Sequence, residues 1–142
     1  MQALISAHSG LRWIALLLLL LAIFNAFTAN SYEKKHRLVN LFTMITFHTQ
    51  LLLGLVLYFT SEKVQFVEGW MKEPLYRFFG MEHLAGMLLA IVAITIGHGK
   101  SKKGTDAAAK FKPIKLWYVI ALILVLAFIP WPFRAELGAG WF

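Results

Sequence analysis

Residues 11–27 read LRWIALLLLLLAIFNAF, an apolar run broken by a single charge at Arg12 and by no helix breaker. Extended toward the N-terminus by residues 3–10, it reaches the roughly 20 residues that an α-helix needs to cross about 30 Å of hydrocarbon. Three further apolar runs follow, at residues 38–59, 84–97 and 114–129. The third is the shortest, but Pro74 suits the first turn of a helix, so that helix is expected to gather Arg77 and Glu82 at its entrance. The expectation is an all-α integral membrane four-helix bundle, up-down-up-down, with helices over about 3–29, 38–60, 76–98 and 113–130 and a short interfacial segment between the second and third.

Composition agrees with that class. Hydrophobic residues make up 59% of 142 positions and the mean hydropathy is +0.67, values reached by chains with most of their length in lipid. One compact bundle uses the whole chain, so any chemistry must sit between the helices or at their ends. The first run is read as a retained helix and not as a cleaved signal: no basic residue precedes it, Arg12 interrupts it and no small-x-small site closes it. Cysteine is absent, which excludes disulfides, thiolate metal sites, iron–sulfur clusters and thioether-linked haem.

The net charge of +7 is uneven along the chain. Lys34, Lys35 and Arg37 fall between the first two runs, and Lys100, Lys102, Lys103, Lys110, Lys112 and Lys115 between the last two. On the other side Lys63, Lys72, Arg77 and Arg134 are offset by Glu62, Glu68, Glu73 and Glu136. The positive-inside rule puts the two basic connections in the cytoplasm and both termini outside, periplasmic for a bacterial inner membrane. Orientation and anionic headgroups account for the charge, and no nucleic-acid partner is expected. Residues 62–79 alternate charge with apolar side chains, and Phe66, Val67, Trp70 and Met71 at helical spacing suggest a short helix lying in the outer interface.

Ionisable side chains at membrane depth are costly and mark function by default. With a rise of about 1.5 Å per residue from the centre of each run, His48 lies near the midplane, His83 roughly 9 Å and His8 roughly 15 Å toward the outside. His98 and His36 fall toward the cytoplasmic side. A b-type haem takes two axial ligands at similar depth on facing helices, and His8 and His83 fit best, with His48 as the alternative ligand. Arg12, one turn from His8, can pair with a haem propionate or with Glu82 across the bundle. His83 and His98 are about 22 Å apart along one helix, so a second haem would draw on His98 and His36, both in ordinary interfacial settings. The band Thr43, Thr46, His48, Thr49 and Gln50 serves equally as interhelical glue. Met71, Met81 and Met87 are candidate thioether ligands for haem or copper.

The stretches His8-Ser9-Gly10-Leu11-Arg12-Trp13, Phe47-His48-Thr49-Gln50-Leu51-Leu52-Leu53-Gly54, Glu82-His83 and Ile129-Pro130-Trp131-Pro132-Phe133 resemble those of small four-helix bacterial membrane proteins labelled cytochrome b. The resemblance runs over almost the whole chain. It implies haem b and electron transfer with quinol, a quinone or a membrane redox complex, as an oxidoreductase component at most. The chain lacks the two well-spaced histidines on each of two helices of the di-haem b-type cytochromes, so one haem is expected. Two other readings stay open: a non-catalytic accessory subunit or oligomer whose polar band holds helices together, and a copper-binding or proton-conducting protein using the same histidines with Glu82.

Overall fold

The computed structural model describes residues 1–142 and is all-helical, with no strand. Four long helices, α1 (Gln2–Thr28), α2 (Lys34–Thr60), α3 (Pro74–Lys103) and α4 (Ala107–Phe128), are each long and apolar enough to cross a membrane. α1 packs on α2 and α4, and α3 packs on the same two, so α1 and α3 face each other across the diagonal. The outside is apolar throughout: Leu17 and Leu52 are each 66% exposed, and Phe24, Val92 and Ile123 project outward beside them. Apolar surface of that extent on every side is stable only in lipid. The chain is a multi-pass membrane protein.

All four helices differ from the hydropathy bounds, because hydropathy marks only the part in hydrocarbon. α2 starts at Lys34, where Glu33 and His36 form a reciprocal cap: the Glu33 side chain accepts from the backbone of His36, and Glu33 N–H donates to His36 Nδ1 at 3.0 Å. His36 is therefore in a helix first turn and buried against Tyr32 and Phe111, not in a basic loop. α3 runs on to Lys103 and α4 begins at Ala107, capped by Asp106 Oδ1 accepting from Ala109 N at 2.8 Å. The expected lysine-rich loop is thus reduced to residues 104–106, and its lysines sit on helical turns, with Lys110 Nζ and Lys115 Nζ 5.0 and 5.4 Å from the Tyr32 and Phe27 ring centroids.

Two π-turns interrupt the ladders. Residues Ile114–Tyr118 follow Pro113, whose missing N–H and ring displace the α-helical register. Phe78–Glu82 forms the other, directly before His83. α4 stops at Phe128, two residues before the first of the prolines that follow it. Trp131 Nε1 donates back to the Leu126 carbonyl at 2.8 Å, satisfying one of the acceptors the helix end leaves free. The segment after α2 is not the helix expected there. It is irregular apart from a 3₁₀ turn, Trp70–Lys72, that starts after the left-handed Gly69 (φ 77°). Phe66 and Trp70 meet edge-to-face, centroids 4.9 Å apart, over Gly80, while Val67 and Met71 point outward.

Packing inside the bundle divides into two kinds. α3 meets α4 through the small residues Gly86, Ala90, Ala93 and Gly97, all buried, which let the backbones approach closely. α2 presents to the interior the stripe His36, Asn40, Thr43, Phe47, Gln50 and Gly54, polar at four of six positions, and its remaining faces are the most exposed of the bundle. Tyr118, fully buried, donates its hydroxyl to the Asn40 carbonyl at 2.9 Å and ties α4 to α2.

A β-carbon on Gly86 would lie 2.3 Å from the Phe128 ring, whereas Gly99 has nothing within 4 Å. Gly86→Ala is expected to lower stability by about 1–3 kcal/mol, overpacking outweighing the gain in helix propensity. Gly99→Ala is expected to be neutral or slightly stabilising, both read as thermal unfolding in detergent.

Candidate functional site

The orphan carbonyls at the end of α4 position the key histidine. Phe128 O, left free by the helix terminus, lies 2.7 Å from His83 Nδ1. A carbonyl only accepts, so Nδ1 carries the proton and Nε2 keeps its lone pair. His83 follows the Phe78–Glu82 π-turn, and that turn is itself tied to α2 by Tyr58, whose hydroxyl donates to the Gly80 carbonyl at 2.9 Å. π-Turns shift the facing of the residues after them, which is how His83 comes to point inward.

Across the diagonal, α1 supplies His8. Its ring meets that of His83 with centroids 6.3 Å apart and planes at 76°. His8 is seated against α2 at Gly54: a β-carbon there would lie 3.1 Å from His8 Cε1. Gln50 Nε2 donates to the His8 carbonyl at 2.7 Å and ties that turn of α1 to α2. His8 Nδ1 and Gln50 Oε1 are sealed from solvent without partners, and His83 Nε2 also has none. Unpaired polar atoms in the interior are costly, and these stand on or beside the two imidazole rings.

Both rings line a cavity of about 440 Å³ walled by all four helices, the segment after α2 and the C-terminal tail. That volume lies in the range of small-molecule and cofactor sites. The walls are mostly apolar, with Arg12, Gln50, Tyr58 and Lys63 among the polar points and no Asp or Glu side chain. Arg12 is 9% exposed, with Nη2 donating to the Trp141 carbonyl at 2.7 Å and Nε sealed without a partner. The interhelical pair of Arg12 with Glu82 does not form, because Glu82 accepts from Arg77 Nε at 2.7 Å. Lys63 Nζ reaches the Gly138 and Leu137 carbonyls at 2.6 and 3.1 Å, and burial pushes its pKa down from the ordinary lysine value.

His48 stands apart from this group. Its Nδ1 donates to Met44 O at 2.8 Å and its Nε2 lies 3.3 Å from Thr95 Oγ1 on α3. Thr95 is twelve residues beyond His83, or about 18 Å along the helix. His48 therefore joins α2 to α3 on a different side of the bundle, and it does not line the cavity. At the opposite end of the bundle, His36 uses Nδ1 in the α2 cap and His98 is buried with Nδ1 unpartnered. Of the methionines, Met87 lines the cavity, while Met71 and Met81 are exposed. No three His, Asp or Glu side chains gather in a cluster able to hold a metal ion by themselves.

Sequence reasoning singled out His8, His83 and Arg12, which the fold brings to one cavity. It missed Lys63, Gln50, Gly54 and Tyr58 as parts of that wall. A lysine in an interfacial segment carries no local mark of being buried, and Gln50 and Gly54 had been read only as part of a polar band and a short motif. The α2 stripe at spacings of three and four was the available signal for both. Comparison of the chain with protein-family models, curated proteins and solved structures found no match.

Tyr58→Phe removes the bond to Gly80 without changing the volume of the ring. A loss of about 1 kcal/mol is expected, read as a lowered melting temperature in detergent.

Proposed function

We propose that the protein is a b-type cytochrome that holds one haem between His8 and His83 in the outer half of the bundle and exchanges electrons with quinol or a partner redox protein. The observation that carries this reading is the separation of the two imidazoles. An imidazole nitrogen binds a transition metal at about 2.0–2.1 Å, so two imidazoles that would hold one metal between them must stand close together. His8 and His83 stand at 6.3 Å before any metal is considered. Edge-to-face packing of two rings covers a range of about 4.5–7 Å and includes this value. Packing alone, however, leaves the lone pair of His83 Nε2 without a hydrogen-bond partner on a ring that lines the cavity.

The residues fit the group in chemistry as well as in spacing. When bound, haem supplies one-electron redox chemistry at its iron, and the protein's part is to hold, orient and tune it. Phe128 O fixes the tautomer of His83, presenting Nε2 as a ligand and raising its basicity through the hydrogen bond at Nδ1. Gly54 leaves room for the His8 ring, and Gln50 holds the turn of α1 that carries it. Apolar walls from α2, α3 and α4 lower the local dielectric and keep water from the ligand nitrogens. His48, spent on Met44 and Thr95, serves helix packing. The resemblance to small membrane cytochromes b supports the same reading.

In this reading the cavity opens toward the outside, since both termini and the segment after α2 lie opposite the basic helix ends. The natural chain has no cysteine, so single variants report topology directly. Glu68→Cys is expected to react with a membrane-impermeant maleimide in intact spheroplasts, and Thr105→Cys only after lysis; the reverse pattern overturns the orientation.

Protein expressed with ample haem and purified in detergent is expected to give a reduced-minus-oxidised spectrum with the bands of a low-spin b-type cytochrome. His8→Ala and His83→Ala are each expected to abolish the low-spin signal, and His48→Ala to keep it. A wild-type spectrum with no haem signal overturns the proposal, and a signal lost only in His48→Ala overturns the assignment of ligands.

A further inference from the structure

The lipid-facing sides of α1 and α4 are wholly apolar: between Ile14 and Phe27, and between Leu116 and Ala127, every exposed residue is Leu, Ile, Phe or Ala. α2 departs from that rule. Its outward stripe is Phe42, Ile45, Thr49, Leu52, Val56 and Phe59, all exposed, with a hydroxyl in the middle. A second exposed hydroxyl, Thr95 on α3, lies at the same level, 3.3 Å from Nε2 of His48, the residue before Thr49. Thr49 Oγ1 donates to the Ile45 carbonyl at 3.0 Å, an acceptor already engaged by the helix ladder. The oxygen keeps its lone pairs, and hydrocarbon offers them no donor. Polar side chains within a membrane span bond across helices, so a hydroxyl in the outer face of the least covered helix points to a protein neighbour.

The residue types along the stripe say which neighbour. Steps of three and four from Phe42 to Phe59 are those of the a and d positions of a heptad, kept over about 27 Å of helix, close to the thickness of the hydrocarbon. The outer face of any membrane helix repeats in this way, so the period alone names no occupant. Here Thr49 and Val56, both β-branched, stand at a, and Leu52 stands at d. That is the pattern of a two-stranded parallel seam, in which one polar residue at a single a position fixes the register. A hydroxyl is both donor and acceptor, so it pairs with its own copy across a two-fold axis. Copies inserted with one topology present α2 in parallel. We infer that this face of α2 is the contact surface between two copies of the chain, joined in register with Thr49 against Thr49. None of the six stripe residues lines the cavity, so the seam does not rest on the haem reading. One face of α2 then serves its own bundle and the other a second copy.

Single thiols in the full-length, cysteine-free chain test the seam in native membranes. Thr49→Cys and Leu52→Cys, oxidised with copper phenanthroline, are each expected to give a disulfide-linked product of twice the 16.1 kDa chain mass. Leu17→Cys on α1 and Ile123→Cys on α4, at positions about as exposed as Leu52, are expected to stay monomeric. Thr49→Val keeps the shape of the side chain and removes the hydroxyl. It is expected to weaken self-association about threefold or more, read as energy transfer between dye-labelled copies in proteoliposomes diluted with lipid, while Thr49→Ser retains it. Monomeric product from both α2 thiols overturns the seam. Equal linking from α1 and α4 also overturns it, since that reports random collision. A linked product of any other mass assigns the face to a different protein and overturns the second copy, and unchanged association of Thr49→Val overturns the hydroxyl pair.

Discussion

The bond from His83 Nδ1 to the Phe128 carbonyl is the contact on which the site depends. A helix that ends near the membrane surface leaves carbonyls without intrahelical donors, and each must find a partner before it can sit in an apolar setting. α4 meets that demand with two side chains: Trp131 takes Leu126 O and His83 takes Phe128 O. One requirement of the backbone thereby ties α3 to the end of α4, sets the tautomer of an imidazole and leaves its other nitrogen with a free lone pair. The π-turn before His83 belongs to the same arrangement, since it sets the facing of the ring and is held in turn by Tyr58 from α2.

Around that point the bundle distributes its polarity by helix. α3 and α4 pack through glycine and alanine, so their backbones come close and leave no space. α2 carries polar residues inward along one stripe, some of them closing interhelical bonds such as Tyr118 to Asn40, others ending in the cavity. The cavity therefore lies where the small-residue seam gives way, at the end that carries both termini, between the diagonal helices α1 and α3. His8 and His83 meet there because helices that face each other across a four-helix ring can span its centre with side chains.

The fold was largely legible in the sequence, and the site partly so. Apolar runs of about 20 residues admit only a helix in lipid, so the existence and number of helices followed from composition. Their ends did not: hydropathy ignores the turns in the headgroup zone, where the caps at Glu33 and Asp106 operate. Depth along the chain paired His8 with His83, because rise per residue is regular. It left His48 as the alternative ligand, since depth carries no information on which side of a helix faces which neighbour. The expected Arg12–Glu82 pair failed for a similar reason: Glu82 lies five residues from Arg77, across the π-turn, and the nearer cation takes it.

By itself the sequence determined the class of molecule and its four spans, because these depend on solvent transfer of the chain. Tertiary structure alone decided which imidazoles meet, which polar atoms are left without partners, and that Lys63 and the C-terminal tail close the cavity beside Arg12. Those outcomes depend on the rotation of each helix about its axis and on the path of irregular segments. Both are set by packing among distant residues, which no local pattern encodes.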